Sequence, residues 1–279
     1  MARFITDHRR WPAGKPAFAL SKNHNLRRRA LSQNFMIDPR AVARVVDAAR
    51  LSPDDLVVEP GAGYGALTLA LARTCRRVIA YEIDPVAAGR LAARTRGDPA
   101  VHVVAGDFLR ARPPREPFAV VGNIIPYHLT SPIVDWCLRA PALSAATLVT
   151  QAEYARKRTG GYGRWSLVTV RTWPGFIWRI AGRIDRSAFR PMPSIDAAIL
   201  RIERRPAPLV PVSALREYRA MVELGFRGRG GSLYASLRPH HPRQRLRRAF
   251  ARAAIPLDAV VSFVHPDQWI NLFHELHQR

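Results

Sequence analysis

Within five residues, Asn123-Ile124-Ile125-Pro126-Tyr127 brings together a side-chain amide, a proline-fixed backbone and a phenol ring. The apolar run before it, Phe118-Ala119-Val120-Val121-Gly122, reads as a short buried strand closed by a Gly-Asn turn. In an open α/β sheet, ligands bind beyond the carboxyl ends of the strands. These groups suit one reluctant nucleophile, the exocyclic amine of adenine, whose lone pair is delocalised into the ring. An amine of that kind needs acceptors for its N–H bonds and a flat surface to hold its base. The Asn123 side-chain oxygen and a nearby backbone carbonyl meet the first need, and Tyr127 meets the second, across the backbone that Pro126 stiffens. Alone, the stretch equally describes an ordinary strand-end turn. Its meaning depends on what other strands bring to the same edge.

Three other strand ends carry matching chemistry. Leu56-Val57-Val58-Glu59 reads as a buried strand, and Gly61-Ala62-Gly63-Tyr64-Gly65 turns from it into a helix beginning near Ala66. Glycines such as Gly61 and Gly63 let the backbone approach a ligand, with amide N–H groups at the helix start facing it. A second strand, Val78-Ile79-Ala80-Tyr81-Glu82, ends in an acid about twenty residues after the first glycine, the spacing at which a carboxylate grips a ribose diol. The third, Val101 to Ala105, leads into Gly106-Asp107-Phe108. The turn and Glu82 alone also admit a dinucleotide. Against that stand the Gly-x-Gly-x-Gly spacing and Asp107, which suits an adenine amino group. A donor with adenine, ribose and an amino-acid tail uses all of these groups, and S-adenosylmethionine is such a donor.

The elements that must position these residues are legible in outline. Asp38-Pro39 caps a helix with an apolar face at Val42, Val45 and Val46, and Asp84-Pro85 caps another. Thr130-Ser131-Pro132 reads as a further helix start, Ala146 to Thr150 as a fifth strand, and Phe176 to Ile180 and Ala197 to Ile202 as the last two. Phe189-Arg190-Pro191-Met192-Pro193 reads as a stiff loop between them. Pro206, Pro208 and Pro211 mark a linker, after which 215–224, 243–253 and 267–276 have helical spacing. The reading is therefore a basic arm over 1–30, an α/β catalytic domain over 31–205 and a small helical domain over 206–279.

Charge narrows the partner. The 279 residues hold 44 basic against 21 acidic side chains, a formal net charge of +23, and that excess points to nucleic acid. Candidate phosphate contacts are Arg27, Arg28 and Arg29 in the arm, Arg156, Lys157, Arg158 and Arg164 in a glycine-broken aromatic stretch, and Arg245 and Arg248 on an arginine-studded helix. Each group reads equally as a solvated basic face or tail. Two cysteines without a Cys-x-x-Cys pair suit a reducing cytosol, and the nine histidines lack metal-ligand company. No apolar run is long enough for a bilayer, and the N-terminus has no secretory pattern. The expectation is a cytoplasmic, metal-free, non-membrane protein, with monomer as the default state.

The motifs Ser-Gln-Asn-Phe-Met-x-Asp, Glu-Pro-Gly-Ala-Gly-Tyr-Gly-Ala-Leu-Thr, Tyr-Glu-Ile-Asp, Gly-Asp-Phe, Asn-Ile-Ile-Pro-Tyr and Phe-Arg-Pro-Met-Pro-Ser-Ile-Asp occur in the order seen in rRNA adenine N6-methyltransferases. From about Arg27 to the C-terminus the chain resembles that superfamily. Around Gln151, Trp136 and Trp269 it looks most like the actinobacterial Erm family, which methylates one adenine in the peptidyl transferase loop of 23S rRNA. That family's modification prevents macrolides, lincosamides and streptogramin B from binding. The resemblance implies a Rossmann-like seven-stranded sheet with a helical C-terminal domain, S-adenosylmethionine as methyl donor, and 23S rRNA, free or partly assembled, as partner. It sets Asn34 and Met36 against the donor, Gly61 at its methionine portion, Glu82 on the ribose and Asp107 on the adenine. Asn123 and Tyr127 then serve the target base, and Asn123, like Gly63, also counts among the expected donor contacts.

One residue departs from the pattern. The family stretch is Asn-Ile-Pro-Tyr, and here a second isoleucine intervenes. An added residue displaces an extended chain by about 3.3–3.6 Å, whereas ~1 Å of misplacement can cost ~100-fold in rate. A bulge at Ile125 keeps Asn123 in its role. A bulge before Ile124 puts an isoleucine in the asparagine slot. The rival readings are a small-subunit rRNA adenine dimethyltransferase of the KsgA type, a non-catalytic nucleic-acid-binding relative on the same scaffold, and a DNA adenine methyltransferase, for which no target-recognition insert is visible.

Overall fold

The computed structural model describes residues 34–228 and 231–277, and all side chains within them except that of Tyr127. The basic arm, with Arg27, Arg28 and Arg29, lies outside the described residues. A short strand β1 (Phe35–Met36) leads into helix α1 (Pro39–Ala49), where the Asp38 carboxylate accepts from Arg40 N as the capping pattern predicts. Three strand–helix repeats follow: β2 (Leu56–Pro60) and α2 (Ala66–Leu71), β3 (Arg77–Glu82) and α3 (Pro85–Arg94), then β4 (Val101–Ala105) with a 3₁₀ turn over Phe108–Arg110. After them come β5 (Phe118–Asn123), α4 (Tyr127–Arg139), β6 (Leu143–Gln151), α5 (Ala152–Arg158) and α6 (Leu167–Thr172). Strands β7 (Phe176–Ile184), β8 (Phe189–Arg190) and β9 (Ala197–Arg204) complete this part.

Seven strands form one sheet in the order β4-β3-β2-β5-β6-β9-β7. The first five are parallel, and β9 runs antiparallel between β6 and β7. Strands buried on both faces read as continuous apolar runs, which is why Leu56–Pro60 and Phe118–Gly122 stood out. Successive side chains then feed opposite cores. Ala119 and Val121 join α1 and α2 on one face, whereas Phe118 and Val120 join α4 on the other.

Two local expectations change. Helix α4 begins at Tyr127, not at Thr130, and holds Pro132 inside it. The Thr130 hydroxyl donates to the carbonyls of Ile124 (2.8 Å) and Pro126 (3.2 Å), tying the first turn to the end of β5. Pro132 forgoes one helical bond in exchange. In the second case, the stiff loop expected over 189–193 begins as strand β8, paired antiparallel with β1.

The remaining helices are α7 (Leu215–Phe226), α8 (Leu233–Leu237), α9 (Arg243–Arg252) and α10 (Pro266–His277). They build a third core from Tyr218, Leu246, Phe250, Trp269 and Phe273, which also takes in Val170 of α6. The Tyr218 hydroxyl donates to Val170 O at 2.9 Å. We propose the division near residue 206 on this basis, with α6 as the element both parts share. Among the described residues no helix is long and apolar enough to cross a membrane, and no cluster of three or more His, Cys, Asp or Glu could hold a metal.

Candidate active site

The carboxyl ends of β2, β3, β4 and β5 lie along one edge of the sheet, so the sequence-predicted Gly61, Gly63, Glu82, Asp107 and Asn123 share that edge. Two glycines of the turn after β2 have no room for a side chain. A Cβ on Gly65 (φ +85°) would lie 2.3 Å from Leu91 Cδ1, and one on Gly63 (φ +57°) 2.9 Å from the Phe35 ring. The turn is tied to β3 twice. Ala62 N donates to Tyr81 O at 2.9 Å, and Gly63 N donates to Glu82 Oε2 at 2.7 Å. The other Glu82 oxygen accepts from Asp84 N at 2.8 Å. Glu82 therefore braces the turn as well as presenting a carboxylate, a double role its position in the sequence did not reveal. Burial raises its pKa, and the amides of Asp84 and Gly63 oppose that rise.

Beside it sits Glu59, which the sequence reading passed over as part of a strand end. It is 2% exposed, and Thr68 Oγ1 donates to its Oε2 at 2.6 Å. Burial, with a smaller push from the Glu82 charge, drives its pKa from 4.5 to about 8 against the Thr68 hydrogen bond. Neither Glu59 nor Glu82 has an ion-pair partner among the described residues. Glu82 thus has no cation beside it, and Glu59 stays neutral until something offsets its burial. A positive charge bound at this end of the sheet would favour the ionised form of both. Asp107, half-buried, spends Oδ1 on Leu109 N (2.9 Å), while Oδ2 lies 3.7 Å from Arg110 Nε.

The edge of β5 resolves the added isoleucine. Asn123 pairs with Val149 of β6, and Ile124 N still donates to Val149 O at 2.7 Å. The ladder's irregularity lies at the opposite end, between Phe118 and Ala119. Ile124 and Ile125 are each 3% exposed and fill opposite cores. The strand thus carries Asn123 to its end in register, and the chain leaves the ladder only at Ile125-Pro126.

Asn123 is held by one half of its amide. Its Nδ2 donates to Asn34 O at 2.7 Å, and Asn34 Nδ2 donates in turn to Pro191 O at 2.8 Å. Oδ1 is buried with no hydrogen-bond partner. An orphaned buried acceptor costs about 1–3 kcal/mol unless something donates to it. Asn34 is thereby a clamp between β5 and the loop after β8, a use that the resemblance to donor contacts did not indicate. Met36 is 6% exposed and packs in the first core with Phe189 and Ile125. Pro126 precedes α4 at φ −61° and Tyr127 is that helix's first residue; its ring lies outside the described side chains.

A family model described as ribosomal RNA adenine dimethylase matches residues 24–278. The chain belongs to that family. An rRNA adenine N-6-methyltransferase of Streptomyces fradiae is 54% identical over 251 residues, covering 89% of this chain and 78% of that protein. The crystal structure of the 23S rRNA methyltransferase ErmE superposes with a TM-score of 0.84 at 50% identity, over 88% of this chain and 100% of that one. Two more distant relatives are the ribosomal RNA small subunit methyltransferase A of Thermobifida fusca, 40% identical over 225 residues (75% of this chain, 76% of that protein), and the mycinamicin-resistance protein MyrB of Micromonospora griseorubida, 33% identical over 246 residues (88% and 78%). At 50% identity to ErmE against 40% to the small-subunit enzyme, this methyltransferase is the more similar to the Erm-type protein.

The methyltransferase's expected RNA contacts do not form one group. Arg158 turns inward, with Nη1 donating to Ser166 Oγ at 3.1 Å and its guanidinium 4.8 Å from the Tyr154 ring. A charge run on a seven-residue helix cannot point one way throughout, and Arg158 falls on the packed side. Lys157 pairs with Glu153 at 2.8 Å, Arg156 stands 5.9 Å from the Tyr162 ring, and Arg164 is exposed 5.3 Å from the Phe263 ring. Arg245 donates to Leu276 O at 2.8 Å and so closes the end of α10, while Arg248 is exposed.

Glu59 gives the methyltransferase a pH signature. Its folded pKa lies above the unfolded value, so its stabilising contribution is full below about 4.5 and is lost as pH rises through about 8. Donor-free protein is expected to lose several degrees of melting temperature between pH 6 and pH 9. Glu59→Gln should flatten that decline. A decline as steep in Glu59→Gln as in wild type would show that Glu59 does not carry it.

Proposed function

We propose that this chain transfers the methyl group of S-adenosylmethionine to N6 of one adenine in the peptidyl transferase loop of 23S rRNA, and that the modified base confers macrolide, lincosamide and streptogramin B resistance. The observation that carries the reading is the buried, unpartnered Asn123 Oδ1 at the end of β5, beside the glycine turn and its carboxylates. An adenine amine is the donor such an atom lacks. Likeness to ErmE supports the large-subunit target, and likeness to MyrB supports the resistance outcome.

The residues present fit the methyl donor. Glu82, without a cation partner among the described residues, and Glu59, which a nearby positive charge would ionise, suit the donor's positive charge, and positive-φ glycines let the turn approach it closely. Glu82 would use its remaining lone pairs on the ribose hydroxyls, Asp107 would accept from the adenine amine, and Gly61 and Gly63 would flank the methionine portion. The sulfonium of S-adenosylmethionine supplies an already activated methyl group, so the protein's task is position and acceptors. Asn123 Oδ1 and a carbonyl of the Ile124–Pro126 stretch accept the two N–H bonds of the target amine. Its lone pair is thereby aimed along the transfer line. Pro126 and Tyr127 hold the base, which must leave its stack to enter. Asn34 steadies this half of the site through Asn123, and Met36 does so through the core.

A ribosomal target makes the cytoplasm the place of action, with free or partly assembled 23S rRNA as the substrate and a monomer as the default acting unit. The test is methyl transfer from labelled donor to protein-free 23S rRNA, 16S rRNA and duplex DNA, with the modified base mapped by primer extension. A stop in 16S rRNA alone would move the chain to the small-subunit enzymes. No transfer to any of them would favour a non-catalytic binder.

RNA affinity should fall steeply with salt. Because Arg245 is engaged at α10, the informative variant reverses Arg247 and Arg248, both exposed on α9. If each contacts a phosphate, Arg247→Glu with Arg248→Glu is expected to flatten the slope of log affinity against log salt by roughly 1.4–1.8. An unchanged slope would return them to a solvated face.

A further inference from the structure

Away from the candidate site, on the α1 side of the sheet, a pocket of about 440 Å³ is lined by Arg44, Asp47, Arg50, Arg179, Ile180 and Arg201, among others. Its floor is preorganised. Arg201 is 6% exposed, and its Nη1 donates to Ala49 O at 2.7 Å, Ala48 O at 3.2 Å and Thr147 Oγ1 at 3.1 Å. Its Nε donates to Glu203 Oε2 at 3.1 Å, the same oxygen that Arg179 Nη2 meets at 2.6 Å. Arg44 reaches across to the main-chain carbonyl of Arg183 on β7. The Arg50 side chain has no hydrogen-bond or ion-pair partner among the described residues, and neither does that of Asp47.

Four guanidiniums against Asp47 and the shared Glu203 leave the pocket positive by two charges. Crowding is felt within it. Burial first, and then the charges of Arg179 and Arg50, lower the pKa of Arg201, with Glu203 opposing. A solvated basic face spreads its charges apart. Here they converge on a concavity and repel one another, an arrangement that an anion would relieve.

Geometry names the anion's source. Helix α1 starts next to β1, beside the Asn34 that clamps Asn123, and runs to Arg50 at its C-terminal end. At 1.5 Å per residue, Arg44 and Arg50 lie about 8 and 17 Å along the axis from Pro39. Backbone charges on one strand of a duplex recur about every 3.4 Å of axis. Helix α1 thus leads from beside the Asn34 clamp to the pocket over a length of roughly two to five backbone charges, and the pocket opens along β7, where Ile180 and Ala181 are exposed. We propose that this arginine pocket is a phosphate-binding exosite for the backbone of the substrate RNA, a few nucleotides from the target adenine. The proposal rests on the RNA-methylating function above and adds a contact outside the catalytic edge.

The test compares two RNAs, one carrying the target adenine with eight nucleotides on each side and one cut to a single flanking nucleotide. Full-length wild type, Arg50→Glu, Arg50→Lys and Asp47→Asn are compared by equilibrium binding at several salt concentrations. On the long RNA, Arg50→Glu is expected to weaken affinity about five- to tenfold and flatten the salt slope by about 1, while Asp47→Asn strengthens binding about two- to fivefold. Arg50→Lys should stay near wild type. On the short RNA all four proteins should bind alike, and kcat at saturating long RNA should not change. Equal effects on both RNAs, or none on either, would overturn the exosite. So would calorimetric binding of pyrophosphate at Arg50 without a length-dependent RNA effect, which would mark a small-anion site. Wild-type methyl transfer is measured in parallel, so failure of the activity reading appears as no transfer while the binding comparison still reports on the pocket.

Discussion

Asn123→Ala is expected to lower kcat by about 10²–10³, the loss typical when one preorganised hydrogen-bonding group is withdrawn from a transition state. Donor affinity should change little if, as proposed, the amide's free oxygen serves the target base. The structure sharpens this expectation. Asn123 stays in the β5–β6 ladder, Ile124 N continues that ladder on Val149 O, and Ile124 and Ile125 are both committed to cores. No isoleucine is therefore available to take over the asparagine slot. Single-turnover methyl transfer to a 23S rRNA fragment, alongside calorimetric donor binding, separates the two effects. A fully active Asn123→Ala protein would remove the amide from the chemistry and leave it as a tie to Asn34.

Glu82→Ala should weaken donor binding by about 10–100-fold, the range expected for hydrogen bonds to a charged acceptor. It should also lower the melting temperature, because Gly63 N and Asp84 N lose the oxygens they donate to. A simple expectation of weak binding in an undisturbed fold thus gives way to a linked loss. Glu82→Gln keeps one acceptor oxygen and turns an amide toward the other N–H, so it should fall between alanine and wild type in both measurements. Calorimetry and thermal melts on the same samples check the ranking. Wild-type donor affinity in a folded Glu82→Ala protein would take Glu82 out of the donor site and leave it as a brace for the glycine turn.

What the sequence revealed and concealed has a physical pattern. Strands buried on both faces write themselves as apolar runs, and Asp38-Pro39 and Asp84-Pro85 announce helix starts by local hydrogen bonding. Chemistry at strand ends was legible for the same reason at Asn123, which closes such a run, while Glu82 and Asp107 follow strands that are only partly buried yet still mostly apolar in sequence. The pairing of β1 with β8 was hidden, because two-residue strands have no period and their partners are remote in sequence. The α8 helix, five residues long, fell below the length at which periodicity speaks. Arg158 and Arg245 looked like their charged neighbours, and only tertiary packing turns one toward Tyr154 and spends the other on Leu276 O. Glu59 needed burial to become visible, as a carboxyl is an ordinary residue until water is removed from it.

The Asn34 clamp bears on how the enzyme is born. Neighbouring strands β2, β3 and β4 carry Glu59, Glu82 and Asp107 and pair with close neighbours in sequence. The base side depends on contacts spanning 89 residues from Asn34 to Asn123 and 157 residues from Asn34 to Pro191. Closing long loops is slow and comes after local pairing. A nascent chain emerging from its N-terminus therefore assembles the strands bearing these carboxyl groups first, and it must expose Pro191 before the Asn34 clamp can close on both its partners. Methylating competence is a late acquisition in synthesis, reached only after the strand that closes the loop has been made.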